Sequence, residues 1–318
     1  MSFSVRKTQA PWSIMSDYKV VHRKQDLEMK ISSLYHQAQL AIGIIDSSDE
    51  EDLVNTLGWY RENMNFSLHL ITTQERAEEM DLADRYPDVT FILFKNTSTT
   101  GEYINALSDE CYTTYFLVLR TDTVLIEYQG QELTRMMSEK NRPALITPVM
   151  LSSQLEVIPT LRAPHLNGKE FDPLSFTPTV SEVAEEETLY PLMGLGLYDR
   201  ALFQRLRVYD TQITGEFFQM ADFGIRCYLL GYNILATRNI VIQFPQKISI
   251  VEDRSPCEGM ERFYTKAMSI RRIAGKNMVE KWKPYVDKAL LNEEVKKKQI
   301  ILQKTDFFTL MDNWKVKE

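Results

Sequence analysis

The sequence predicts an α/β protein built on a mainly parallel sheet flanked by helices. Three observations carry this: short apolar runs rich in β-branched and aromatic side chains recur between residues 40 and 119, polar segments of helical length separate them, and capping residues stand at the joins.

The first run, LAIGIID (40–46), is followed by Ser47 and Ser48 before Asp49, Glu50 and Glu51, a cap with acid in the first turn of a helix. The pattern then repeats. FSLHLIT (66–72) precedes a polar helix over 74–86, VTFILF (89–94) precedes a helix around 102–110, and YFLVL (115–119) is a fourth such strand. A helix over about 131–140 leads to the strand candidate ALITPVML (144–151). Upstream, KQDLEMKISSLYHQA (24–38) spaces Leu27, Ile31 and Leu34 as a helix does. Between 152 and 190 the composition turns proline-rich and aperiodic, which reads as a long functional loop or a partly disordered excursion. Order returns with LYPLMGLGLYDRALFQRL, and the chain reads as mostly helical towards its end. The organisation expected is an N-terminal arm and helix (1–38), a main domain (39–250) carrying the 152–190 insertion, and a helical extension (251–318).

Composition narrows the function. With 318 residues, 44% of them hydrophobic, the chain can bury a sizeable core. Cys111, Cys227 and Cys257 are far apart and fit buried thiols, and His22, His36, His69 and His165 have no metal-ligand spacing. No segment approaches the ~20 apolar residues of a membrane helix, so a cytoplasmic location is expected. The formal net charge of −7 argues against a nucleic-acid partner. Residues 261–318 nevertheless hold 14 Lys and Arg against 8 Asp and Glu. That basic tail is either the solvated face of terminal helices or a surface for anionic lipid, giving peripheral membrane contact, or for a polyanionic substrate.

Ligands on parallel sheets sit beyond the strand carboxyl ends. There, TYFLVLRTDTVLI (114–126) runs straight into Arg120-Thr121-Asp122. Two further segments, GLGLYDRALFQRL (194–206) and FFQMADFGIRCYLLGYNI (217–234), add Arg200 and Phe203, then Asp222, Arg226, Gly231 and Tyr232, in a fixed order. With TTGEYINALSDECYTTYFLVLRTDTVL (99–125), these segments resemble family-2-like inverting glycosyltransferases of the GT-A fold over roughly residues 39–275. The resemblance implies a nucleotide-sugar donor lying near Asp46, Arg120, Thr121 and Asp122, an acceptor near Asp222, and transfer to a glycan, lipid or protein.

The same resemblance exposes departures. Arg120 occupies the first acid of the Asp-x-Asp turn that would hold Mg²⁺ or Mn²⁺, so either ion is disfavoured and no metal ligand is assigned. Gln219 and Met220 occupy the Glu-Asp pair that would supply the base, no acid stands at 71–73, and Gln243 replaces a histidine after the last strand. Asp222 and Glu216 remain as catalytic carboxylates, with Asp210 nearby. Arg120 has two readings: a guanidinium that binds diphosphate oxygens in place of a metal, or a strand-end partner of Asp122 or Glu127. The chain accordingly has two as well: a nucleotide-sugar-dependent hexosyltransferase, or a catalytically inactive GT-A-fold protein that acts as a binding module.

Overall fold

The computed structural model describes residues 17–22, 40–139, 141–179 and 185–315. The helix expected over 24–38 lies outside them. Among the described residues, ten strands form the central sheet: β1 (Tyr18–Val21), β2 (Leu40–Ile45), β3 (Ser67–Thr73), β4 (Thr90–Phe94), β5 (Tyr115–Arg120), β6 (Val124–Tyr128), β7 (Leu145–Leu151), β8 (Glu186–Glu187), β9 (Gly196–Asp199) and β10 (Ile234–Gln243). The order is β1-β4-β3-β2-β5-β9-β7-β10-β8, with β6 against β10.

The first half is the parallel unit read from the sequence: β4, β3, β2 and β5 pair in parallel, and almost every residue in them is buried. Runs buried on both faces cannot alternate polar and apolar residues, which is why these strands read as continuous apolar stretches. β9 then inserts antiparallel between β5 and β7, and β10 runs parallel to β7.

The helices follow their caps. α1 (Glu50–Asn63) starts at Asp49, whose carboxylate accepts from the Asp52 amide. α2 (Gln74–Glu79) starts at Thr73, and Asp81 at φ 51° separates it from a short turn of helix at Leu82–Arg85, dividing the single helix expected over 74–86. α3 (Thr100–Glu110) has a full capping box between Thr99 and Glu102. α4 (Gly130–Ser138), α5 (Arg200–Arg205) and α6 (Glu216–Leu229) complete the domain. α6 ends at Gly231, φ 86°, the left-handed residue that closes a helix.

The residues carrying the sequence resemblance hold this frame together. Phe203 is fully buried against Phe116, Tyr198, Tyr209 and Phe223. Arg200 donates from Nε to the Ser108 carbonyl at 2.7 Å, and Arg226 donates to the Leu206 and Val208 carbonyls.

The 152–190 excursion is built in its described parts. Leu161–Ala163 pairs with Leu174–Phe176, Leu166–Asn167 pairs with Glu170–Phe171, and Ile158, Phe171, Leu189 and Tyr190 enter the core. Glu186 is buried and accepts hydrogen bonds from Thr179. Beyond residue 251, α7 (Met260–Met268) is followed by a hairpin, Ile270–Ile273 with Lys276–Val279, that apolar periodicity did not reveal. A π-helix (Leu291–Gln299) packs Leu291 and Val295 against Ile270 of the hairpin, and α8 (Phe307–Asn313) packs back on the domain through Phe307. No helix among the described residues is long and apolar enough to cross a membrane.

Candidate functional site

The carboxyl ends of β2, β3 and β5 come together through their backbones and short polar side chains. The Thr121 amide donates to the Ile45 carbonyl at 3.1 Å, the Ser47 amide donates to Thr121 Oγ1 at 2.8 Å, and the Thr56 hydroxyl donates to the Thr121 carbonyl at 3.2 Å. Thr121 therefore staples this corner, and it also lines the cavity there with Asp122 and Thr123.

Asp46 lies at one side of it. Its Oδ2 accepts from Thr72 Oγ1 and Arg76 Nε, each at 2.6 Å, and Arg76 Nη2 donates to the Ser48 carbonyl at 2.9 Å. The other oxygen, Oδ1, is buried and has no hydrogen-bond partner among the described residues. An unmatched acceptor on a buried carboxylate is costly in a finished structure and useful where a ligand hydroxyl or N–H arrives.

Asp122 lies at the other side. Arg120 turns back onto it, Nε to Oδ1 at 2.9 Å and Nη2 to Oδ2 at 3.3 Å, so the strand-end pairing read from the sequence is the one present. Ser47 Oγ donates to Oδ1 at 3.1 Å, and Lys247 Nζ donates to Oδ2 at 2.5 Å. Burial alone would raise the Asp122 pKa; the hydrogen bonds and charge of Arg120, then those of Lys247, outweigh it and hold the carboxyl below its usual range.

Sequence reasoning missed Lys247, and the sheet explains how it arrives. β10 pairs antiparallel with β6 in the register Gln243↔Val124, so the residues following 243 run beside those preceding 124. Two backbone bonds fix the turn: Lys247 N–H to the Phe244 carbonyl, and Ser153 N–H to the Lys247 carbonyl at 2.7 Å. The ammonium also lies 5.0 Å from the centre of the Phe244 ring. The signal available in the sequence was a lysine four residues past Gln243, where the resemblance places a histidine.

This corner does not fit a divalent ion. Both Asp122 oxygens are engaged by cations, Asp46 already holds Arg76, and among the described residues no group of three His, Cys, Asp or Glu side chains is placed to hold a metal. Hard oxygen ligands would have to exchange two internal cations for the ion.

The catalytic candidates separate. Gln219 is fully buried: Oε1 accepts from the Gly101 amide at 2.9 Å, and Nε2 donates to Thr99 Oγ1 at 3.2 Å and to the Asp210 carbonyl at 3.3 Å. The neutral amide binds one donor and two acceptors at once, which a carboxylate could not. Met220 is buried in the core. Asp222 is buried too, accepting from Arg226 Nη2 at 2.8 Å and Lys266 Nζ at 2.6 Å. Lys266 bridges to Asp210 at 2.7 Å, where Arg262 joins. Burial pushes the Asp210 pKa up, but Lys266 and Arg262 press it far below the usual range. Asp222 thus belongs to an ion-pair network shared with the C-terminal extension, and none of its partners lies at the strand-end corner. Glu216 differs: it opens α6, is half-buried, and accepts from Thr100 Oγ1 at the start of α3, which follows the carboxyl end of β4.

No protein-family model matches the sequence, and no curated protein does. Among solved structures, the crystal structure of GalNAc-T7 with UDP, GalNAc and Mn²⁺ is similar, with a TM-score of 0.61 at 11% identity over 88% of this chain and 57% of that one. The chain has a GT-A-like glycosyltransferase fold. It spans little more than half the length of that neighbour, and at such identity the likeness carries the fold and nothing of the activity.

Proposed function

We propose that the protein is a nucleotide-sugar-dependent glycosyltransferase of the family-2-like, inverting type that binds its donor diphosphate without a divalent ion. The observation that carries this is the Arg120–Asp122–Lys247 cluster: two cations share one carboxylate, leaving a positive charge at the corner where the fold would seat a diphosphate. An ammonium has three donors and a guanidinium five, so Asp122 does not exhaust either. Phosphate oxygens accept from the remainder. Asp46 Oδ1, buried and unmatched, supports a ribose hydroxyl or base N–H on the nucleoside side. In the transfer step the acceptor hydroxyl oxygen bonds to the anomeric carbon, the bond from that carbon to the diphosphate oxygen breaks, and the hydroxyl proton passes to Glu216. The acceptor is a glycan, lipid or protein.

A second reading, a catalytically inactive GT-A-fold binding module, is favoured by Gln219 and Met220 at the base positions and by the ion-paired Asp222. One titration addresses both. UDP, GDP and CDP are added with EDTA or with Mn²⁺ while the melting temperature is followed, since a ligand of the folded state raises it by mass action. The proposal expects one nucleotide to raise it equally under both conditions, and product formation from the matching nucleotide sugar separates enzyme from binding module. No shift with any nucleotide, or a shift that requires Mn²⁺, overturns metal-free diphosphate binding.

A further inference from the structure

On the far side of α6 from Glu216, the C-terminal extension closes over a cavity of about 90 Å³ between α5, α6, α7 and the end of the π-helix. Its volume lies well below the roughly 300 Å³ at which drug-sized pockets begin. It suits a small group rather than a nucleotide.

Three polar side-chain atoms of its lining residues are buried without a hydrogen-bond partner among the described residues: Arg226 Nε, Gln303 Nε2 and Gln299 Oε1. Gln303 is only 5% exposed. Buried donors are almost always matched, so two unmatched donors and one acceptor beside one cavity point to a missing partner. The charge there is also uneven. Arg205, Arg207, Arg226, Lys266 and Lys298 line the cavity against the single acid Asp222. Counting Glu294, which pairs with Arg207 and Lys298, and Asp210, which pairs with Lys266, cations still outnumber carboxylates. A group matching this set accepts from Arg226 and Gln303, donates to Gln299, and is anionic. A phosphate monoester, protonated on one oxygen, does all three.

The remaining lining is apolar, with Leu206, Leu229 and Leu302 among it, and beside it Ile301 is 77% exposed and Leu302 57%. Apolar surface of that kind next to a cation cluster fits a phosphate carried on an apolar body.

We infer that this cavity binds a phosphate monoester group, separately from the strand-end site. The group can belong to a soluble phosphorylated molecule or to the head of a lipid, and two experimental arms distinguish them. In the first, inorganic phosphate and phenyl phosphate are titrated into the full chain by calorimetry. Saturable binding is expected, weakened about tenfold or more in Gln303→Met and in Arg205→Glu, as for the loss of one hydrogen bond or charge on a charged ligand. In the second, the protein is sedimented with phosphatidylcholine vesicles with and without phosphatidic acid. Co-sedimentation that requires phosphatidic acid and is lost in both Arg205→Glu and Ile301→Ser with Leu302→Ser assigns the lipid source; phosphate binding without it assigns the soluble one. Circular dichroism and melting of each variant without ligand check that the fold is kept. No binding of inorganic phosphate, phenyl phosphate or phosphatidic acid, or binding that neither Gln303→Met nor Arg205→Glu weakens, overturns the inference. Because Arg205 and Gln303 lie away from the strand-end corner, UDP, GDP and CDP titrations of these variants remain those of the unsubstituted chain.

Discussion

Lys247 places its ammonium 2.5 Å from Oδ2 of Asp122, the carboxylate that would be left to receive a metal ion in the Asp-x-Asp turn. Arg120 holds the other oxygen. The corner thus carries its counter-charge in the chain itself, positioned by the β6–β10 register and by the backbone of the 244–247 turn. Lys247→Met keeps an unbranched side chain and removes the charge. Nucleoside-diphosphate affinity should fall about tenfold or more, as for loss of a charge-assisted bond to phosphate, and EDTA should change neither protein. Calorimetric titration with and without EDTA checks this, and unaltered affinity in the variant would remove Lys247 from the site.

The same cluster sets a pH dependence. The Asp122 pKa is lowered in the folded protein, so its ion pairs contribute stability that is present above the unfolded value and lost as pH falls through the folded one. With an ordinary aspartate near 3.9, the loss lies below about pH 4. Asp122→Asn should cost about 2 kcal/mol at neutral pH, because two cations lose a partly buried partner. Melting curves of the two proteins should approach each other as the solution is acidified through that window. A gap that stays constant to pH 3 would mean that Asp122 carries no such linkage.

Asp222→Asn separates structure from catalysis. The side chain is 2% exposed and faces both Arg226 and Lys266, so removing its charge leaves buried cations half-matched. Breaking a pair of this kind costs about 3 kcal/mol. Urea denaturation should show that loss, while nucleotide affinity of the folded variant stays unchanged. A variant of normal stability that has lost transfer would return Asp222 to the role of catalytic base.

Much of the fold was legible because the parallel strands are buried on both faces, and continuous apolar runs such as VTFILF are short and rich in β-branched and aromatic side chains. The acids Asp49, Glu50 and Glu51 after LAIGIID were a local signal of the same kind, and they stand at the start of α1. What escaped depends on partners distant in sequence. β6 carries Glu127 on an otherwise apolar run and is recognisable only from its pairing with β10, more than a hundred positions away. Lys247 reaches Asp122 across 125 positions, Lys266 reaches Asp222 from a helix beyond the main domain, and Arg76 reaches Asp46 from the start of α2. Each is an ordinary charged residue in its own neighbourhood. The sequence also left Arg120 with two readings, since the direction of a long side chain at a strand end is decided by what the next turn offers it.

In the proposed transfer the hydroxyl proton passes to Glu216, and the surroundings of that carboxylate suit the task. It is the first residue of α6, where the positive end of the helix favours an acidic side chain. Thr100 holds it from the start of α3, and Gln219, one turn along, ties the two helix starts together through the Gly101 amide, which fixes the carboxylate relative to the end of β4. Glu216→Gln keeps the shape and can still accept from the Thr100 hydroxyl through its amide oxygen, but it cannot take a proton. Nucleoside-diphosphate binding should therefore be unchanged, while sugar transfer falls about 100- to 10,000-fold, the usual contribution of a general base. Titration and a transfer assay on the same preparation read the two quantities. Transfer that survives the substitution assigns the proton to another group, and binding that disappears with it would make Glu216 a donor-site residue instead.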